Sequence, residues 1–147
     1  MVRIPAAPQL IAQERPGAWR SHPDPDLARQ REVVDAFFMA ARGRHFEILV
    51  SVLHPDVVLR SDFGATRPAA SRVVRGAEAV ARQAFAAALP AARLHPALVN
   101  GAAGVVVTVD GRPFAVMGFT VTDGKIVEID AIGDPKRVQR IAAAIFQ

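Results

Sequence analysis

The sequence has no cysteine, no tyrosine and one tryptophan, Trp19. Without thiols there is no disulfide, no thiolate nucleophile and no cysteine-held zinc or iron–sulfur site. Without tyrosine the sequence carries no phenolic hydroxyl. No apolar run approaches the roughly 20 residues that cross a bilayer, which excludes a helical membrane span. Blocks of like charge are missing as well. The basic residues are 16 Arg and 2 Lys, dispersed among 14 acids. There is thus no polybasic arm of the sort that grips nucleic acid, and direct nucleic-acid binding is not expected. The opening Met1–Pro8 contains no uninterrupted apolar stretch, because Pro5 and Pro8 break it. No secretory signal is read there, and a cytoplasmic location is the expectation.

What is present has the balance of a folded domain. The 147 residues are 51% hydrophobic and 22% charged. That length holds one domain with a real core. The net charge of +4 favours solubility and acidic partners and leaves the fold open.

Five of the 11 prolines fall at positions 5, 8, 16, 23 and 25. Each fixes φ and pushes its predecessor away from helix, so residues 1–24 read as an extended arm or linker, with the domain over 25–147. Trp19 in that arm either docks on the domain or meets a partner. Asp24-Pro25 reads as a helix start, and Leu27, Val34, Phe37, Phe38 and Ala41 follow at helical spacing up to Gly43. A short second helix carries Phe46, Leu49, Val50 and Leu53 and stops at His54-Pro55. Residues 56–63 are β-like, Val73-Val74 is a short extended piece, and 76–89 is a helix closed by Pro90.

From there the period changes to two. Strands are predicted over 94–100, 105–109, 114–122 and 125–132. Asp110-Gly111 and Asp123-Gly124 between apolar runs are strong hairpin signals. Asn100-Gly101 reads as a turn or bulge, or as an amide facing a ligand. A last helix starts at Asp134-Pro135 and carries Val138, Ile141 and Ile145. Helices and strands in this order make an α+β domain: a curved antiparallel sheet packed on three helices, with a C-terminal helix. A bent sheet wrapped on helices leaves a cone-shaped cavity, the usual place for a ligand.

Several stretches carry a family resemblance. They are Ala-Arg-Gly-Arg-His-Phe-Glu-Ile-Leu (41–49), His-Pro-Asp-Val-Val-Leu-Arg (54–60), Val-Arg-Gly-Ala-Glu-Ala-Val-Ala (74–81) and Asp-Gly-Lys-Ile-Val-Glu-Ile-Asp (123–130). Together they resemble the nuclear transport factor 2-like (NTF2-like) superfamily in its SnoaL-like branch. Three more stretches, at 29–37, 96–106 and 131–137, are similar to the C-terminal accessory domain of SigJ-type extracytoplasmic-function sigma factors. The resemblance implies the NTF2-like cone, and it makes residues 1–24 look like part of a linker. It also implies a sigma-factor or transcription partner. The family often carries Asp-Gly-Gly-Gly-Lys after the first strand. Here Asp62-Phe63-Gly64-Ala65-Thr66 has no lysine.

Enzymes of the superfamily place acids inside the cone, where burial tunes a general base. Strand alternation tests that pattern. Val127, Ile129 and Ala131 share the predicted inner face of the last strand, so Glu128 and Asp130 point away. Resemblance to the epoxide hydrolases puts Ala131 near their catalytic acid. Resemblance to the ketosteroid isomerases puts Met117 near their proton-donating acid. Ala115, Met117, Phe119 and Val121 share the inner face of the preceding strand, and Val57, Leu59, Ser61 and Phe63 that of the first. Asp62 is the best acid for a cavity mouth and the one weak catalytic candidate.

The candidate ligand-binding residues are therefore Phe37, Ser61, Asp62, His95, Asn100, Met117 and Phe119. His22, His45, His54 and His95 have no i, i+4 partner, so neither a metal nor another cofactor is expected. The resulting expectation is a non-catalytic domain that binds an apolar small molecule or regulates a partner. The alternative is a cyclase, isomerase or hydrolase acting on a polycyclic or terpenoid-like substrate through Asp62. A homodimer through an outer sheet face of Phe114, Val116 and Thr120 is also expected.

Overall fold

The computed structural model describes residues 26–65 and 71–145. The arm at 1–24 and the domain boundaries drawn from it lie outside the described residues. The elements run α1 (Leu27–Gly43), α2 (Phe46–Ser51), β1 (Leu53–Asp62), β2 (Arg72–Arg75), α3 (Ala77–Ala87), β3 (Ala92–Val99), β4 (Ala102–Val109), β5 (Arg112–Thr122), β6 (Lys125–Ile132) and α4 (Pro135–Ile145).

Local chemistry sets most of these boundaries. The Asp26 carboxylate accepts from the backbone N–H groups of Ala28 and Arg29 at 3.0 and 3.3 Å, so Asp26 caps α1. Helix α1 ends where Arg44 turns left-handed at φ 57° and its N–H returns to the last carbonyls. Val34, Phe37 and Ala41 form the buried stripe, while Leu27 stays exposed at the start of the helix. Helix α2 stops at Ser51, before His54-Pro55, and Leu53 joins β1 instead. The three hairpin turns hold Asn100-Gly101, Asp110-Gly111 and Asp123-Gly124, and all six residues have positive φ. Asn, Asp and Gly are the residues that tolerate this paired left-handed turn. Asn100 is therefore a turn residue, and β3 and β4 form a tight hairpin, with β4 starting at Ala102 rather than at 105.

The sheet order is β2-β1-β6-β5-β4-β3. All pairs are antiparallel except β1 with β6. The expected curved α+β sheet stands, with this one parallel pair making it mixed. A parallel pair needs a long crossover, and α3 with the whole meander supplies it. Register shifts interrupt the ladders between Leu53 and Val58, Val107 and Thr108, and Thr120 and Val121. Such bulges bend strands, and here they accompany the curl of the sheet around α1, α2 and α3. They also alter facing. In β6 Ile126 enters the core and Val127 is only half-buried, a one-residue correction to the predicted alternation.

The curled sheet buries two cores. On its concave side Val34, Phe37, Leu49, Val57, Val80 and Ile129 pack under the three helices. On its convex side Ala97, Val99, Val106, Val116 and Ile132 are covered by Val138 and Ile141 of α4. This second core corrects the expected dimer face. Val116 is 1% exposed beneath α4, Thr120 is buried, and Phe114 turns inward beside the β4–β5 bulge. Among the described residues no helix is long and apolar enough to cross a membrane.

Candidate functional site

The concave side is not filled to the end of the cone. Between α1, α3 and the inner sheet face lies a cavity of about 390 Å³. That is within the roughly 300–1,000 Å³ range of small-molecule pockets.

Its floor is aromatic. Phe37 and Phe38 meet edge to face with centroids 5.1 Å apart, and both contact Phe119 at 5.5 and 5.6 Å. T-shaped contacts of this kind align ring edges with ring faces and hold the rings in place. Phe37 and Phe38 reach the cavity; Phe119, 2% exposed, supports them from below and does not line it. The sheet supplies Leu59, Met117, Ile129 and Ala131, and α3 supplies Val80 and Ala84. Alternation along β1 and β5 places Ser61 and Met117 inward, as the sequence pattern predicts.

One lip is built by close approach. Phe63 and Phe114 lie 6.1 Å apart, and both line the cavity. Phe63 sits directly over Gly133. A Cβ on Gly133 would fall 2.1 Å from the Phe63 ring, so only glycine leaves room for it there. The Gly133 N–H donates to Asp62 O at 2.8 Å and extends the β1–β6 pairing to this point.

The polar lining is sparse. Among the described residues it comprises Arg42, Ser61, Arg72 and Gln83, with no carboxylate and no imidazole. Ser61 and Arg72 are opposite each other across β1 and β2, and the Arg72 N–H donates to Ser61 Oγ at 3.2 Å. The Arg72 guanidinium then reaches α3 and donates to Gln83 Oε1 at 3.2 Å. Arg42, at the last turn of α1, donates to Ala92 O at 3.2 Å.

The other predicted site residues lie elsewhere. Asp62 faces away from the cavity, into a groove with Arg60, Asp130 and Arg137. Its Oδ2 accepts from Arg137 Nη1 at 2.8 Å and its Oδ1 from the Gly64 N–H at 3.0 Å. It therefore fastens α4 and the loop after β1. His95 is opposite Val106 on the convex face, with its Nε2 2.9 Å from Thr108 Oγ1. Partial burial, and then the nearby Arg93, hold its imidazole pKa below the usual value. Asn100 sits in the β3–β4 turn, outside the cavity. The structure thus brings together Phe37, Ser61 and Met117, and it separates them from Asp62, His95 and Asn100.

Sequence reasoning missed Gln83, Arg72, Arg42 and Phe114 as cavity residues, and it placed Phe63 on the inner face of β1 without naming it as a site residue. Gln83 carried a signal, because it shares a helical face with Val80 and Ala84. Arg72 carried none, since its facing depends on pairing with Ser61. Among the described residues no cluster of three His, Asp or Glu side chains could hold a metal ion.

No family model matches the chain. It is 35% identical over 127 residues to the sigma factor SigJ of Mycobacterium tuberculosis, covering 78% of this chain and 40% of that protein. The crystal structure of that sigma factor superposes with a TM-score of 0.58 at 29% identity, over 80% of this chain and 45% of the other. The chain thus spans less than half the length of this relative. An NTF2-like protein of unknown function from Mesorhizobium loti superposes at 0.57 with 20% identity, over 77% of this chain and 97% of its own. A de novo designed protein with a curved β-sheet also superposes at 0.57, with 21% identity, over 82% and 99%. The last two likenesses establish the fold alone.

Proposed function

We propose a binding role for this chain, which has the NTF2-like fold and is similar to part of the sigma factor SigJ. It holds an apolar small molecule in the cone and uses that occupancy to regulate a partner, without catalysis. One observation carries this reading: an apolar cavity of about 390 Å³ with no acid or histidine in its described lining. Acid–base catalysis on an apolar substrate needs a titratable group within hydrogen-bond reach of the reacting proton. Asp62, the candidate base, is engaged by Arg137 on the other side of the sheet. Ala131 and Met117 stand at the cavity wall, where the resemblance to superfamily enzymes puts acids.

The similarity to a sigma factor points to a partner in transcription, and with it to a cytoplasmic setting. Occupancy has a physical route to such a partner. Ligand against Phe63 and Ala131 would press on strand ends whose outer neighbours, Asp62 and Ile132, carry α4. Such coupling requires different ligand affinities for two positions of that helix. A pure interaction module pairing through the open sheet is disfavoured, because α4 occupies much of that face.

The test is mass spectrometry of the purified protein, native against denaturing. A discrete extra mass that disappears on denaturation supports the reading and identifies the ligand class. A bare protein that also takes up no apolar probe overturns it.

A further inference from the structure

The mouth of the cavity is apolar and cationic at once. Residues 86–91 run Ala-Ala-Ala-Leu-Pro-Ala, and every one of them is exposed. They finish α3 and lead into β3, and the first four also line the cavity. Leu89 keeps 44% of its surface in water. Four guanidinium groups frame this run. Arg42 holds Ala92 O from the last turn of α1, and Arg44 lies 4.8 Å over the Phe85 ring of α3. Arg93 follows Ala92. Ala92 pairs with Val109 and Val109 with Arg112, which brings Arg112 to the same end of the sheet. All four arginines are exposed, and among the described residues none of them is in an ion pair. Within five residues of any of them the chain carries two acids, Glu47 and Asp110, so cations prevail at this end.

We propose that this end of the cone docks on an anionic lipid bilayer and takes its apolar ligand from there. The uptake rests on the binding role above, whereas the docking surface stands on its own residues. An exposed apolar segment flanked by guanidinium groups matches the two layers of a membrane surface, hydrocarbon below and phosphate above. Leu89 and the alanines enter the acyl boundary. The arginine stems lie along it, and their heads stay with the phosphates. Each cation held close to an anionic surface improves partitioning about fivefold. No spanning helix is required. A protein partner is gripped through shaped anchors such as aromatic rings. Residues 86–91 offer apolar area without that shape, and lipid asks only for area and charge. A bilayer is also where an apolar molecule accumulates, so the open mouth meets the reservoir of its ligand directly.

The experiment is co-sedimentation of the full chain with vesicles at low salt, where surface charge is least screened. One set is phosphatidylcholine alone, and the other contains an equal part of phosphatidylglycerol. The wild type should pellet with the anionic vesicles and not with the neutral ones. Arg93→Gln with Arg112→Gln, neither of which lines the cavity, should weaken binding about 25-fold, two fivefold losses together. Arg29→Gln with Arg75→Gln removes the same charge beside the first turns of α1 and α3, whose last turns form the mouth, and should leave binding unchanged. Because the sequence has no cysteine, a bimane label on Leu89→Cys reports a single site. Its emission should shift to the blue with anionic vesicles, and the same label on Leu27→Cys, at the other end of α1, should not respond. The label keeps the test decisive if an arginine variant fails to fold. Equal losses in the two arginine pairs, or no blue shift at Leu89→Cys, would overturn the assigned surface. Absence of vesicle binding by the wild type overturns it too, and a dimer that Leu89→Asp dissociates would then give the mouth to a second copy. Native mass spectrometry separates this from the binding role. A retained ligand without vesicle binding refutes the docking alone, and vesicle binding by a chain that takes up no apolar probe refutes the uptake together with the binding role.

Discussion

Replacing Gln30 by methionine should destabilise the domain although no cavity is made and no surface charge changes. Gln30 lies on α1 and is 3% exposed, and its Oε1 accepts from the backbone N–H of Ala103 at 2.9 Å. The location explains the need for it. The β4–β5 ladder runs only as far as Gly104 opposite Gly118, so Ala103 lies beyond the last paired position while β5 continues along β6. The sheet splays there as it curls, and the glutamine amide takes the place of a strand neighbour. Methionine matches the length and flexibility of glutamine but offers no comparable acceptor. A buried N–H left without a partner costs about 1–3 kcal/mol. Unfolding entropy of about 2 cal/mol/K per residue, over a domain of this size, converts that to a fall in Tm of roughly 3–10 °C. Differential scanning calorimetry measures the shift, and hydrogen exchange should show the Ala103 amide losing protection. Glu32→Gln, exposed on the same helix, is the control and should stay within about 0.5 kcal/mol of wild type. A Gln30→Met variant melting within about 1 °C of wild type, with Ala103 still protected, would show that the amide does not hold the splayed strand.

Three further outcomes are expected. Val116→Asp should lower thermal stability by more than about 3 kcal/mol, because it places an unpaired charge beneath α4; a stable, folded variant with altered oligomeric state by light scattering would instead restore the sheet face as an interface. Asp62→Asn should change stability by no more than about 1 kcal/mol, because the Arg137 pair is partly exposed, and should leave probe binding unchanged by calorimetry; loss of probe binding would place Asp62 back in the site. His95 has a folded pKa below its unfolded value of about 6.5, so its contribution to stability is present above that pH and is lost as pH falls through the folded pKa. His95→Gln should flatten that part of a denaturation-against-pH series, and an unchanged slope would mean the ring is solvated.

Much of the cone is legible along the chain. Period-two alternation marks the inner faces of β1 and β5, and it correctly places Ser61 and Met117 toward the helices. Asp-Gly pairs mark two hairpins, and Asp134-Pro135 marks the start of α4. These signals are local, because a strand's facing and a turn's φ are set by residues within a few positions. The same alternation, applied to β6, leaves its cavity wall without an acid.

Other features rest on distance in space. Alternation alone puts Phe114 on the outer face and leaves the side of His95 open, because bulges and pairing register also decide which side a residue faces. Asn100 reads as available to a ligand until the pairing of β3 with β4 puts it at a hairpin tip. The parallel pairing of β1 with β6 reflects a crossover of more than sixty residues between their ends, which no local pattern encodes. The sequence by itself determined the elements, their amphipathic faces and the absence of thiol, phenol and inward acid chemistry. Only the tertiary structure decided that α4 covers the convex face, that Asp62 is tied to Arg137, and that Ser61, Arg72 and Gln83 meet. Each of those contacts joins residues at least 11 positions apart, and it exists only once the sheet has curled and set the register.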